Sequence, residues 1–110
     1  MVSEQPFGEV YGRPVRAFRI DGGAGVTARL TDYGARLTEL HVPGRDGATA
    51  DIVLGFDDVH PYAESPAYFG ATVGRYGNRI RRGRFTLLGT DYEVDCNEKG
   101  NHLHGGRQGW

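Results

Sequence analysis

Residues 84–94 have the sequence Arg-Phe-Thr-Leu-Leu-Gly-Thr-Asp-Tyr-Glu-Val, and this stretch decides the fold class. Apolar and polar residues alternate on both sides of a glycine, which is typical of two short antiparallel strands. Gly89-Thr90 fits a two-residue turn with glycine at its first central position. One face of the resulting hairpin would carry the cross-strand apolar set Phe85, Leu87, Tyr92 and Val94. The stretch therefore predicts a β-hairpin.

Further strands are predicted upstream of this hairpin, at residues 15–20, 26–31 and 35–42. Residues 26–31 alternate with a period of two, which indicates a half-buried strand. Within 35–42, Leu37 lies on the opposite phase to Leu40 and Val42. Either both faces of that strand are partly covered or a bulge shifts its register.

Residues 51–56 form a continuous apolar run, Asp-Ile-Val-Leu-Gly-Phe, of the kind expected for a strand buried on both faces. Residues 57–68 are polar and contain proline, so we expect a loop with one helical turn there. No segment keeps a helical period over three turns. The predicted architecture is therefore an all-β sandwich or barrel.

The composition fits one globular domain and excludes several function classes. The 110 residues are 38% hydrophobic and 25% charged, and the formal net charge is −1. That balance gives no global attraction to nucleic acid or an anionic membrane, and no apolar run approaches the roughly 20 residues that span a bilayer. The 18 glycines follow no G-X-Y period and indicate turns and close backbone approaches. Without signal-peptide character at the start, and with Cys96 as the only cysteine, a cytoplasmic location is expected.

The stretch Asn101–Gly106, Asn-His-Leu-His-Gly-Gly, holds the first candidates for chemistry. In a strand, His102 and His104 project to the same face, which permits a two-histidine metal site in a small β-barrel. A third ligand is missing, because no Asp or Glu follows His104. The alternative is two polar strand-end histidines of which at most one is functional. The paired glycines suit a ligand cleft, since they allow close backbone approach beside a histidine.

Five arginines lie between residues 75 and 84, with an aromatic residue among them. Such a cluster could contact phosphate or nucleic acid, but the chain has no second basic stretch, and a solvated strand face explains most of it better. Asn78-Arg79 stands out, because an amide beside a rigid five-donor guanidinium suits ligands rich in hydroxyl groups. Neither a P-loop nor a G-x-S-x-G nucleophile motif occurs.

Taken together, these segments resemble the N-terminal part of the aldose 1-epimerase, or galactose mutarotase, family. The most specific pieces are Asn78-Arg79-Ile80 and Leu103-His104-Gly105-Gly106 at their separation in this chain. The other matching pieces, in chain order after the first dozen residues, are Asp32–Ala35 with Leu37, Val42–Gly44 with Asp46-Gly47, Asp51–Asp57, Tyr68–Ala71, Val73–Gly77, Gly83, Phe85, Gly89, Tyr92, Asn97, Asn101-His102 and Gly109-Trp110.

The resemblance implies an antiparallel β-sandwich of galactose mutarotase type, of which this chain is the N-terminal portion. It also implies interconversion of the α and β anomers of hexoses such as glucose and galactose, without a cofactor or a metal. Asn78 and Arg79 match residues that line the sugar cleft, and His104 matches a histidine that contacts the substrate. His104 is thus the expected catalytic residue, and Asn78, Arg79 and His104 are the expected substrate-binding set. His102 matches no catalytic residue of the family.

The same resemblance places the family's general base, a Glu, and its main general acid, a second His, in later sequence. We therefore expect residues 1–110 to be part of a single sandwich domain, truncated after Trp110, that binds sugar without the acid–base pair. The expected partner is a small-molecule aldohexose, or a hexose 6-phosphate, and neither nucleic acid nor membrane. The alternative from another class is a non-catalytic carbohydrate-binding module on the same sandwich.

Overall fold

The computed structural model describes residues 1–108 of a chain that divides into two compact units, residues 1–72 and residues 73 onward. Nine strands, one short helix and one 3-10 turn form the regular structure of this described part. Every strand pair in it is antiparallel, which confirms the predicted all-β class. Within residues 1–108, no helix has the length and apolar character needed to cross a membrane.

The first unit contains a five-stranded sheet in which each strand pairs with the next along the chain. Its strands are β1 (Val2–Val10), β2 (Arg13–Asp21), β3 (Thr27–Thr31), β4 (Arg36–Pro43) and β5 (Thr49–Asp51). The three strands predicted between residues 15 and 42 are confirmed as β2, β3 and β4. Strand β1 was not predicted, because Pro6 and Gly8 interrupt its pattern, and its register with β2 shifts between them.

The phase change in β4 is accompanied by a β-bulge. Arg29 pairs with Glu39 and Leu30 with Leu37, so Thr38 is the extra residue on β4. The Thr38 side chain is buried, and its hydroxyl donates to the carbonyl oxygen of Arg29 at 3.1 Å. A register shift, one of the two explanations that the sequence left open, is therefore present.

The core of the first unit lies between the sheet and helix α1 (Val59–Glu64), where the helical turn was expected. Its buried apolar side chains are Phe7, Val10, Val15, Ala17, Val59 and Tyr62. Gly8 allows the helix to approach β1, since a Cβ there would lie 2.8 Å from Cγ1 of Val59. The Asp58 carboxylate caps the helix by accepting from the backbone N–H of His60 at 2.8 Å.

The prediction of a buried strand over residues 51–56 is wrong. Strand β5 ends at Asp51, and the side chains of Ile52 and Leu54 are exposed. The Asp51 carboxylate accepts from the backbone N–H groups of Leu40 at 2.9 Å and Val53 at 3.1 Å, which bends the chain at the end of the strand ladder. An apolar run alone does not specify strand pairing, because pairing also requires backbone groups of a neighbour at the right spacing.

The second unit consists of two strand pairs. Strand β6 (Arg79–Ile80) pairs with β9 (His102–Leu103), and β7 (Arg84–Leu87) pairs with β8 (Thr90–Glu93), with a 3-10 turn at Arg81–Gly83 between β6 and β7. The β7–β8 pair is the hairpin predicted within residues 84–94.

The hairpin turn lies one residue earlier than predicted. Leu88-Gly89, and not Gly89-Thr90, occupies its central positions, with φ of 50° and 77° as in a type I′ turn. The earlier turn gives each β7 residue a partner two positions earlier on β8 than predicted. Because the shift is two residues, the side chains predicted to share a face still share it. Phe85 lies opposite Tyr92, with ring centroids 5.1 Å apart and ring planes 12° from parallel.

Candidate functional site

The short β6–β9 ladder brings the two motifs that the sequence singled out side by side. Arg79 pairs with Leu103, and Ile80 pairs with His102. Asn78 lies just before β6, and His104 lies just after β9. In an antiparallel pair these flanking residues meet at the same end, so the three predicted site residues are brought together.

Asn78 and His104 hold each other through two hydrogen bonds. The backbone N–H of His104 donates to the Asn78 carbonyl oxygen at 2.9 Å, and the backbone N–H of Asn78 donates to Nδ1 of the His104 ring at 2.9 Å. Both residues adopt left-handed backbone conformations, with φ of 64° and 51°. Because Nδ1 accepts, the neutral ring carries its hydrogen on Nε2, which makes that atom a donor.

Arg79 is held by two oxygen atoms. Its Nε donates to Oε2 of Glu98 at 3.0 Å, and its Nη1 donates to Oδ1 of Asn78 at 3.4 Å. The hydrogen bond from Arg79 lowers the pKa of the Glu98 carboxyl below its ordinary value, and the same bond raises the pKa of Arg79. Half of the Arg79 side chain is exposed, whereas the Glu98 side chain is mostly covered. The guanidinium is therefore fixed at one edge and open at the other.

The segment 95–101 supports both strands of the ladder. The Asn97 amide clamps Leu103, accepting from its N–H at 2.7 Å and donating to its carbonyl oxygen at 3.0 Å. Oδ1 of Asn101 accepts from the N–H of Arg82 at 3.0 Å. Of these supporting residues, Glu98 is one whose contact with Arg79 could not be predicted from the sequence. It lies 19 positions from Arg79, and no regular spacing joins a carboxylate to an arginine across such a distance.

His102 and His104 do not share a strand face as expected. Strand β9 ends at Leu103, and His104 turns away with its positive φ. His102 is buried, and its Nδ1 lies 2.8 Å from the carbonyl oxygen of Asp95 and 3.3 Å from Oδ1 of the same residue. Each ring thus has its own protein partner, and within residues 1–108 no three His, Cys, Asp or Glu side chains cluster as a metal would require.

Gly106, the second of the paired glycines, accommodates Asp95. Gly105 and Gly106 have φ of 85° and 82°, and a Cβ on Gly106 would lie 2.1 Å from Oδ1 of Asp95. The other oxygen, Oδ2, accepts from the backbone N–H of Arg107 at 2.9 Å, and this bond lowers the pKa of Asp95. The close approach expected beside His104 is therefore made to a carboxylate of the protein itself.

The remaining arginines of the cluster are dispersed. Arg84 pairs with Glu93 across the hairpin, and Arg82 lies in the 3-10 turn with φ of 54°. A groove of about 450 Å³ in the same unit is lined by Arg75, Tyr76, Ile80, Phe85, Val94, His102, Gly105 and Gln108. The three predicted site residues do not belong to that lining. The arrangement around Arg79 and His104 instead offers an array of hydrogen-bond donors, suited to a ligand with many oxygen atoms.

Sequence comparison relates the chain to one family along most of its length. The aldose 1-epimerase family profile matches residues 16–109. The galactose mutarotase of Bos taurus is 44% identical over 81 residues, which is 74% of this chain and 24% of that protein. The aldose 1-epimerase of Escherichia coli K12 is 34% identical over 110 residues, covering all of this chain and 32% of the enzyme. The chain thus spans about a quarter to a third of the length of these relatives.

Solved structures agree with this relation. Galactose 1-epimerase from Lactobacillus acidophilus NCFM superposes with a TM-score of 0.77 at 23% identity, over 96% of this chain and 30% of that one. An aldose epimerase homologue from C. elegans gives a TM-score of 0.76 at 37% identity, over 83% of this chain and 28% of that one. The fold is therefore the N-terminal portion of the antiparallel β-sandwich of galactose mutarotase type, and the chain belongs to the aldose 1-epimerase family.

Proposed function

We propose that this chain supplies sugar-binding residues of an aldose 1-epimerase, an isomerase that interconverts the α and β anomers of hexoses such as glucose and galactose. The observation that carries the proposal is the reciprocal pairing of Asn78 with His104 beside Arg79. This pairing places two hydrogen-bond donors, the Arg79 guanidinium and the His104 imidazole, at one end of a short strand pair. Family membership supplies the reaction class.

The reaction needs a proton removed from the C1 hydroxyl and a proton delivered to the ring oxygen. The ring then opens, the C1–C2 bond rotates, and closure gives the other anomer. Arg79 donates to sugar hydroxyls or to the ring oxygen, and Nε2–H of His104 donates to a sugar oxygen and stabilises negative charge that develops there. Asn78 orients both, through its backbone groups toward His104 and its amide oxygen toward Arg79.

Neither the Arg79 guanidinium nor the His104 imidazole is arranged to remove the proton from the C1 hydroxyl. Nδ1 of His104 already accepts a hydrogen bond from Asn78, and a guanidinium stays protonated. The resemblance assigns the general base and the main general acid to a Glu and a second His in later sequence. We therefore propose that the 110 residues bind sugar but do not accelerate mutarotation on their own.

Polarimetry on freshly dissolved α-D-glucose tests this part of the proposal. The 110-residue chain is expected to leave the rate of rotation change at the buffer value, because acid–base catalysis contributes roughly 10²–10⁴-fold for each positioned group and the pair is lacking. The matched variants are His104→Ala and His60→Ala, the latter on an exposed histidine of α1. Catalysis by the unmodified chain that disappears in His104→Ala and persists in His60→Ala would overturn the proposal.

The partner proposed is a small aldohexose or its phosphate, and no nucleic acid or membrane takes part. As the N-terminal portion of the sandwich, this chain would be part of a single larger domain.

The single cysteine, Cys96, favours a reducing, cytoplasmic setting.

A further inference from the structure

We infer that Glu98 is a positioning residue that aims the Arg79 guanidinium at the sugar. The inference rests on the function proposed above and adds a residue to it. Glu98 itself does not touch the sugar. It acts through Arg79, whose Nε it accepts at 3.0 Å.

The backbone that carries the Glu98 carboxylate is itself well fixed. The backbone N–H of Glu98 donates to the Asn101 carbonyl oxygen at 3.1 Å, and the N–H of Asn101 donates back to the Glu98 carbonyl oxygen at 2.8 Å. Only 23% of the Glu98 side chain is exposed, against 50% for Arg79. The neighbouring Asn97 is tied to Leu103, the residue that pairs with Arg79 in the ladder. The main chain that presents the acceptor is therefore tied to the same ladder that carries Arg79.

Arg79 needs such an acceptor because its side chain is long and half exposed, so it would otherwise sample many rotamers. A guanidinium is planar, and contacts at two of its nitrogen atoms define its plane. Glu98 engages Nε and Asn78 engages Nη1. Among residues 1–108 these contacts use two of the five N–H donors, which leaves two hydrogens on Nη2 and one on Nη1 for a ligand, in fixed directions.

The charge of Glu98 strengthens this arrangement. A hydrogen bond between ionised partners is roughly twice as strong as one between neutral groups. Since Arg79 lowers the pKa of Glu98, the carboxylate stays ionised throughout the neutral range. A glutamine at this position would retain an oxygen acceptor of the same reach and lose the charge.

The test uses the ¹⁵N-labelled 110-residue chain and four variants: Glu98→Ala, Glu98→Gln, Arg79→Lys and Glu93→Ala. Arg79→Lys assigns the Arg79 Nε–H signal by deleting it. Glu93→Ala is the matched control, since it removes a different carboxylate paired with an arginine, Arg84 of the hairpin. The first readout is the Arg79 Nε–H resonance and its exchange with water, and the second is the Kd for D-galactose.

In Glu98→Ala we expect the Nε–H signal to move to the position of solvated arginines and to exchange faster. The Kd for D-galactose is expected to rise about tenfold, the net effect of one charge-assisted hydrogen bond. In Glu98→Gln the Kd is expected to lie within about threefold of the value for the unmodified chain. That result would exclude a folding defect as the cause of the weaker binding by Glu98→Ala. Glu93→Ala is expected to change neither readout.

Two results would overturn the inference, and a third concerns the proposed function. An Nε–H signal unchanged in Glu98→Ala means that the pair does not hold Arg79. A displaced signal with an unchanged Kd means that the pair exists but does not position the arginine for sugar. If the unmodified chain binds no D-galactose, the proposed function itself fails and the positioning role fails with it, although the Arg79–Glu98 contact is still reported by the first readout.

Discussion

Gly70 lies where the chain passes beside β4 with no room for a side chain. A Cβ there would be 1.8 Å from the carbonyl oxygen of Leu37, and φ is +61°. The backbone N–H of Leu37 donates to the Gly70 carbonyl oxygen at 2.9 Å, and the Thr72 hydroxyl donates to the carbonyl oxygen of Ala35 at 2.7 Å. The lack of space for a side chain thus explains why a glycine stands in the stretch Tyr68–Ala71, which resembles the family. The sequence alone does not show this reason.

Replacing Gly70 tests that cause. We expect Gly70→Ala to destabilise the chain by about 3–5 kcal/mol, because the Leu37 backbone must move and a hydrogen bond to it is lost. Gly47→Ala is the control: its φ is +81°, but a Cβ there meets nothing within 4 Å, so only the backbone penalty of about 1 kcal/mol applies. Urea unfolding followed by circular dichroism measures both. Equal losses in the two variants would contradict the steric account.

Asp51 gives a prediction about pH. Hydrogen bonds from the backbone N–H groups of Leu40 and Val53 lower the pKa of its carboxyl in the folded chain. A folded-state pKa below the unfolded value stabilises the fold above the unfolded pKa, and this contribution is lost as the pH falls through the folded pKa. Asp51→Asn should therefore be less stable than the unmodified chain at pH 7, with a difference that shrinks below about pH 4. Urea midpoints at several pH values measure this, and a difference independent of pH would refute it.

At the scale of elements, strands can be predicted where apolar and polar residues alternate regularly along the strand. Strand β3 (Thr27–Thr31) alternates cleanly and was found from that pattern. Strand β1 was not, because its bulge at Pro6 and Gly8 breaks the period. The prediction of a strand at residues 51–56 is wrong, because apolar composition indicates a tendency to be buried. It does not indicate that a neighbouring strand is present to pair with. Pairing is a tertiary property, and local sequence carries it only in part.

The hairpin turn offers a test at this scale. Leu88 is 97% exposed and holds φ of 50° in a turn that favours Asn-Gly. Leu88→Asn is expected to stabilise the chain by about 1 kcal/mol, because asparagine tolerates the left-handed conformation and no packing is lost. Leu88→Ala is the control and should give little gain, since alanine keeps the backbone penalty. Chemical denaturation compares the three chains, and equal effects of Asn and Ala would contradict the assigned turn.

At the scale of the whole molecule, the sequence predicts which residues form the candidate site but not how they are held. Asn78, Arg79 and His104 were selected from residue type and resemblance, and the structure brings them together across the β6–β9 ladder. The tautomer of His104 and the partner of Arg79 depend on hydrogen bonds between segments 19 to 26 positions apart in the chain. No local period encodes such contacts, so only the folded arrangement reveals that His104 acts as a donor.

Binding of an aldohexose through Asn78, Arg79 and His104 is tested directly by a ¹H–¹⁵N NMR titration of the 110 residues with D-galactose. We expect saturable shifts concentrated at the backbone N–H groups of these three residues, lost in His104→Ala and retained in His60→Ala. Shifts that do not saturate, or that concentrate on the hairpin of β7 and β8 and persist in His104→Ala, would contradict it.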